Sequence, residues 1–178
     1  QQIDRENVDQ LELKWVLQNQ GFGAWQSNPI IVDGIMYVTE RPNSVMAVDA
    51  VTGRVFWKYR HQNADNALVC CGANNRGVAV LNDKVYMGTL DAHLIALDRI
   101  NGQVLWKAEV GDVNRAYSVT MAPLAVKDKI MVGVGGGEFG IRGYVAAFDA
   151  ETGEQAWKTY TIPAPGEPNH DSWEGDDW

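Results

Sequence analysis

Ala47-Val48-Asp49-Ala50-Val51-Thr52-Gly53-Arg54-Val55-Phe56-Trp57-Lys58 returns twice further along the chain. The copies read Ala96-Leu97-Asp98-Arg99-Ile100-Asn101-Gly102-Gln103-Val104-Leu105-Trp106-Lys107 and Ala147-Phe148-Asp149-Ala150-Glu151-Thr152-Gly153-Glu154-Gln155-Ala156-Trp157-Lys158. Each sets a Trp at one offset after an Asp, and the copies lie about fifty residues apart, the spacing of propellers, solenoids or arrays. Upstream of the first copy, an apolar run at 30–32, an Asp33-Gly34 turn and a β-rich run at 35–39 make a strong hairpin signal. A further run at 45–48, the Thr52-Gly53 turn and a run at 55–59 complete four short strands. The same plan recurs at 78–107 and 124–158, and no segment carries convincing helical periodicity.

Four antiparallel strands per unit at this spacing predict an all-β chain of about three complete β-propeller blades. The blades are expected over roughly 24–60, 76–110 and 119–161, with 163–178 a loop or tail. The Trp sits on the outer strand and packs across to the next blade. The Asp bonds turn N–H groups, and the Gly supplies a positive φ. Leu11-Glu12-Leu13-Lys14-Trp15 resembles the last strand of one more unit. Three blades are few for a closed ring, and exposed blade faces drive association. The chain is therefore expected to be a piece of a longer protein or to self-associate.

Composition narrows the function. Of 178 residues, 46% are hydrophobic, so the chain is not disordered. A formal charge of −8 repels phosphate backbones, which argues against nucleic acid as a partner. No apolar run approaches the ~18–20 residues of a membrane helix. No signal peptide is visible, and the chain opens on Gln1 rather than Met.

Two local features carry chemistry. Cys70 and Cys71, the only cysteines, are neighbours. They read as two buried thiols, as one thiol of interest beside a spectator, or as a vicinal disulfide that distorts the peptide between them. The run Gly133-Val134-Gly135-Gly136-Gly137-Glu138-Phe139-Gly140 contains G-x-G-x-x-G, but a strand rather than a helix follows, so a dinucleotide site is rejected. A flexible hairpin, or a close backbone approach to a flat ligand, remains. Glu138 among these glycines suits a hard cation or is a solvated loop residue. His61, His93 and His170 show no metal-ligand spacing. The stretch from Glu167 to Asp177 lacks the EF-hand pattern.

Together these features resemble the quinoprotein alcohol dehydrogenases, periplasmic enzymes that use pyrroloquinoline quinone (PQQ). The string Cys70-Cys71-Gly72-Ala73-Asn74-Asn75-Arg76-Gly77 is similar to the family's Cys-Cys-x-x-x-Asn-Arg-Gly, and the string from Gly135 to Tyr144 is similar to its quinone and metal loop. The resemblance runs from about residue 5 to the end. It implies an eight-bladed propeller with PQQ on the axis and a Cys70–Cys71 disulfide stacked on one quinone face. Arg76 and Thr120 would bind the polar rim, and Gly135, Gly136 and Gly137 would line the ring edge. Glu138 would ligate a calcium or lanthanide ion.

Two positions depart from the pattern: Gln26 stands where the family often has a Glu touching PQQ, and Gly135 replaces a frequent Ser. The family's Trp beneath the quinone, Asn metal ligand, Asp base and basic residue match nothing in these 178 residues, so no catalytic residue is assigned. The resemblance implies oxidation of a primary alcohol to an aldehyde, with electrons passed to cytochrome c. The chain alone is expected to be inactive. The alternative is a cofactor-free scaffold or binding propeller, like the outer-membrane assembly lipoproteins that share the Trp repeat; it has no use for Cys70-Cys71 or the Gly135–Glu138 run.

Overall fold

A computed structural model describes residues 3–19 and 23–173. Three four-stranded antiparallel sheets follow one another along the chain. The first holds β1 (Ile30–Val32), β2 (Ile35–Glu40), β3 (Ser44–Asp49) and β4 (Val55–Arg60). The second holds β5 (Val78–Leu81), β6 (Lys84–Gly88), β7 (His93–Asp98) and β8 (Val104–Glu109). The third holds β9 (Leu124–Val126), β10 (Lys129–Gly133), β11 (Tyr144–Asp149) and β12 (Gln155–Tyr160). Strands pair in chain order within each sheet, and no α-helix occurs among the described residues. Each sheet is one propeller blade.

The central strands are buried on both faces, which explains their unbroken apolar runs. In β3, Val45 and Ala47 face the seam with the second blade, whereas Met46 and Val48 pack with Trp15 and Leu17. In β7, Ile95 and Leu97 join the first seam, and Leu94 and Ala96 join the seam with the third blade. Neighbouring residues on a strand point to opposite faces, so each run feeds two cores. The outer strands β4, β8 and β12 are largely exposed.

The repeated phrase does the docking. Trp57 Nε1 donates to Arg99 O at 3.0 Å, and Trp106 Nε1 donates to Ala150 O at 3.2 Å. Each indole lies flat against the turn glycine of the next blade. A Cβ on Gly102 would fall 2.5 Å from Trp57, and one on Gly153 would fall 2.7 Å from Trp106. Both glycines have φ above +70°, so turn geometry and close approach together demand Gly. The aspartate of each phrase holds the turn: Asp49 Oδ1 accepts from Val51 N (2.8 Å) and Thr52 N (3.0 Å), and Asp98 and Asp149 accept in the same pattern.

Trp15 repeats the contact at the chain's other end. Its Nε1 donates to Ala50 O at 3.2 Å, and its ring covers Gly53. Residues 11–19 nevertheless pair with no strand among the described residues. Residues 163–173 fold back on the third blade through an Arg142–Glu167 ion pair and a short 3-10 turn at His170–Ser172. The last part of the expected tail, 174–178, lies outside the described residues.

This topology puts the informative segments at one end. In an antiparallel four-strand unit, the turn between the second and third strands shares an end with the link to the next blade. The turns at 41–43, 89–92 and 134–143 therefore lie on the same rim as the links 61–77 and 110–123.

Candidate functional site

The link 61–77 has no regular structure, yet side chains from both neighbouring turns pin it. His61 N donates to Asn43 O (2.9 Å), and Asn43 Nδ2 donates to Asn63 Oδ1 (2.7 Å). Buried Asp91 accepts from His61 Nε2 at 2.9 and 3.0 Å, from Ala64 N at 3.1 Å and from Thr89 Oγ1 at 2.5 Å. Burial opposes ionisation of Asp91, but hydrogen bonds from His61, His93 and Thr89 outweigh it and hold its carboxyl well below the usual range. At the far end Arg41 Nε donates to Ala73 O (3.0 Å), and Asn74 Nδ2 donates to Cys71 O (3.2 Å). Buried Asn75 donates to Gly88 O (2.8 Å) and Asn43 Oδ1 (3.1 Å).

Cys70 and Cys71 form a disulfide at the crest of this link. Cys71 has φ +66° and Gly72 φ +93°, so the backbone turns left-handed through two successive residues. Cys70 is half-buried and Cys71 exposed. Arg76 follows, its N and Nη1 both donating to Thr120 O at 3.1 and 3.3 Å. That joins the first link to the second.

The glycine loop meets the second link through a reciprocal pair. Ser118 N donates to Gly135 O (3.1 Å), and Gly135 N donates to Ser118 O (2.8 Å). A Cβ on Gly135 would lie 3.1 Å from Ser118 Oγ and 4.0 Å from Thr120 Oγ1, so both hydroxyls face the glycine edge. Gly136 has φ +125°, and a Cβ there would meet Ala116 O at 2.4 Å. A 3-10 turn at Gly137–Phe139, closed by Gly140 N donating to Gly137 O (3.1 Å), then presents Glu138.

These segments enclose a cavity of about 140 Å³. Of the residues expected to bind, Cys70, Cys71, Arg76, Thr120, Gly135, Gly136 and Glu138 line it together. Gln26 is exposed on the segment before β1 and does not line it. Gly137 does not line it either; open space surrounds the position its Cβ would take. Two further lining residues escaped the sequence reading, Gly72 and Ser118. Ser118 was within reach of pattern: it stands two residues before Thr120 on extended backbone, which puts both hydroxyls on one side.

A family profile described as the PQQ "Glucose/ethanol/alcohol dehydrogenase, beta-propeller domain" matches residues 1–178. The chain belongs to this PQQ dehydrogenase propeller family. Among relatives, the quinohemoprotein alcohol dehydrogenase ADH IIB of Pseudomonas putida is 43% identical over 169 residues, 94% of this chain and 24% of its own. The solved ADHIIG structure from Pseudomonas putida HK5 superposes with a TM-score of 0.87 at 46% identity, covering 91% of this chain and 24% of that one. A europium-containing methanol dehydrogenase superposes with a TM-score of 0.85 at 38% identity, covering 99% of this chain and 31% of that one. The chain thus spans about a quarter of the length of the curated relatives it matches. Within the PQQ dehydrogenase family, then, it corresponds to an arc of blades and not to a whole propeller.

Proposed function

We propose that this chain is the quinone-holding arc of a periplasmic PQQ-dependent alcohol dehydrogenase that works with calcium or a lanthanide. The whole enzyme would oxidise an alcohol to an aldehyde and pass electrons to cytochrome c. The observation that carries this reading is the convergence of Cys70–Cys71, Arg76, Thr120, the Gly135–Gly136 edge and Glu138 on one cavity. The lining fits the cofactor's chemistry. A flat ligand needs a wall without side chains, and Gly135 and Gly136 both line the cavity. Carboxylate and quinone oxygens need donors, which a guanidinium and two hydroxyls supply. A hard cation needs a carboxylate, and Glu138 is the one lining the cavity among the described residues.

On this reading the disulfide is the face on which the ring system rests. Arg76 pairs with an anionic oxygen of the rim, while its backbone tie to Thr120 O keeps both residues in register. Thr120 donates from its hydroxyl. Gly135 and Gly136 bring backbone to the ring edge. Glu138 holds the ion. When bound, PQQ supplies hydride acceptance, with the ion polarising its carbonyl as a Lewis acid. Glu138 is committed to the ion, and no second carboxylate lines the cavity among the described residues, so the chain alone lacks a general base and is inactive.

Self-association belongs to the same proposal. Trp157 is 41% exposed and Leu124 57% exposed, on the third-blade face turned away from the second blade. That face is an unfilled docking surface of the kind Trp57 and Trp106 fill. Sedimentation at rising concentration should show association that Trp157→Ser weakens; a dilute-to-concentrated monomer refutes it.

The test of the site is reconstitution. PQQ with calcium should shift the quinone absorbance and raise the melting temperature, and Glu138→Gln should remove the calcium dependence. No shift at high cofactor concentration would overturn the reading.

A further inference from the structure

Two cysteine sulfurs and a carboxylate oxygen meet at the mouth of this cavity. Cys70 Sγ, Cys71 Sγ and a Glu138 oxygen all lie within 4.8 Å of one another, and no other three groups of His, Cys, Asp or Glu converge so closely among the described residues. In the disulfide form the sulfurs are bonded to each other and offer no thiolate. We propose that reduction of Cys70–Cys71 turns this rim into a site for one thiophilic divalent ion, of the zinc or cadmium class, held by two thiolates and Glu138.

The step balances with a dithiol as reductant. A thiolate of the dithiol attacks exposed Cys71 Sγ, the Cys70–Cys71 bond breaks, and the second dithiol sulfur closes the reductant into a cyclic disulfide. Two electrons and two protons pass to the cysteines. Binding the ion then displaces both thiol protons. In a tetrahedral site with metal–sulfur bonds near 2.3 Å, sulfurs stand about 3.8 Å apart. Opening the disulfide by side-chain rotation supplies that separation. Glu138 is exposed on the 3-10 turn and already close enough to add an oxygen. The Arg76 guanidinium lines the same cavity and offsets the charge of two thiolates beside a carboxylate.

The neighbouring His61–Asp91–His93 cluster does not compete. Asp91 already accepts from His61, Ala64 N and Thr89, so its oxygens are committed. The proposal does not rest on the quinone reading, since its test uses the reduced chain without PQQ. It also implies mutual exclusion, because an ion between the sulfurs removes the disulfide wall.

The full chain would be reduced anaerobically with a bead-bound phosphine, which ends as its oxide, then filtered and titrated with cadmium. One equivalent should bind, with the ultraviolet sulfur-to-cadmium charge-transfer band, in the reduced chain and not in the oxidised one. Cys70→Ser and Cys71→Ser should each remove one sulfur's share of the band and weaken cadmium binding, the double variant should abolish the band, and Glu138→Gln should weaken affinity at least about tenfold. Circular dichroism of the reduced chain, before cadmium, should match the oxidised fold. Loss of that fold on reduction, equal cadmium affinity of the two redox forms, or unchanged affinity in Glu138→Gln would each overturn the proposal.

Discussion

Replacing Gly102 with Ala isolates what holds adjacent blades together. Gly102 has φ +72°, and its added Cβ would lie 2.5, 2.7 and 3.1 Å from three carbons of the Trp57 indole. Gly34 has nearly the same φ, +76°, but nothing within 4 Å. Both substitutions carry the left-handed penalty of about 1–2 kcal/mol. Gly102→Ala must also push the indole off its seat, an overpacking cost of about 1–3 kcal/mol. Moving the ring breaks the 3.0 Å bond from Trp57 Nε1 to Arg99 O, worth about 1 kcal/mol. The expected loss is therefore about 3–6 kcal/mol for Gly102→Ala against about 1–2 for Gly34→Ala. Urea denaturation followed by far-ultraviolet circular dichroism, with linear extrapolation, measures both. Gly153→Ala, against Trp106, should resemble Gly102→Ala. If Gly102→Ala falls within about 0.5 kcal/mol of Gly34→Ala, the indole–glycine contact is not what joins the blades.

Asp91→Asn should destabilise the chain by about 1.5–3 kcal/mol near neutral pH, because hydrogen bonds to a buried ionised carboxylate become bonds to a neutral amide. The Asp91 pKa is lowered on folding, so its contribution is fully present above the ordinary value of 3.8 and drains away as pH falls below it. The stability gap between parent and variant should be larger at pH 5 than at pH 3; a gap that does not change with pH would refute an ionised Asp91 in the folded chain. In the glycine loop, Gly136→Ala should weaken PQQ binding at least about tenfold by displacing the backbone from Ala116 O. Gly137→Ala, in open space, should weaken it by less than about threefold. Equal effects in a fluorescence titration would contradict the assignment of the cavity edge to Gly136.

The blades were legible because everything that specifies them is local. A short apolar run, a hairpin turn such as Asp33-Gly34 and the Asp-to-Trp phrase each act within about a dozen residues. The phrase even announces its own partner, since the same twelve positions carry both the indole and the glycine on which the previous indole rests. Cys70-Cys71, Arg76 and the Gly135–Glu138 run stood out by pattern and by family resemblance.

Membership of the cavity was another matter. It depends on which irregular links touch, and those contacts join residues far apart in the chain. Arg76 meets Thr120 across 44 positions, and His61 meets Asp91 across 30. Nothing in the spacing of histidines announced that Asp91 would anchor the disulfide link, or that Gly72 and Ser118 would line the cavity while Gln26 and Gly137 stand apart from it. Strand and turn preferences are properties of short stretches of backbone, so residue order is enough to read them. Convergence on one rim arises from stacking whole blades, and that geometry exists only after the indoles have found their glycines.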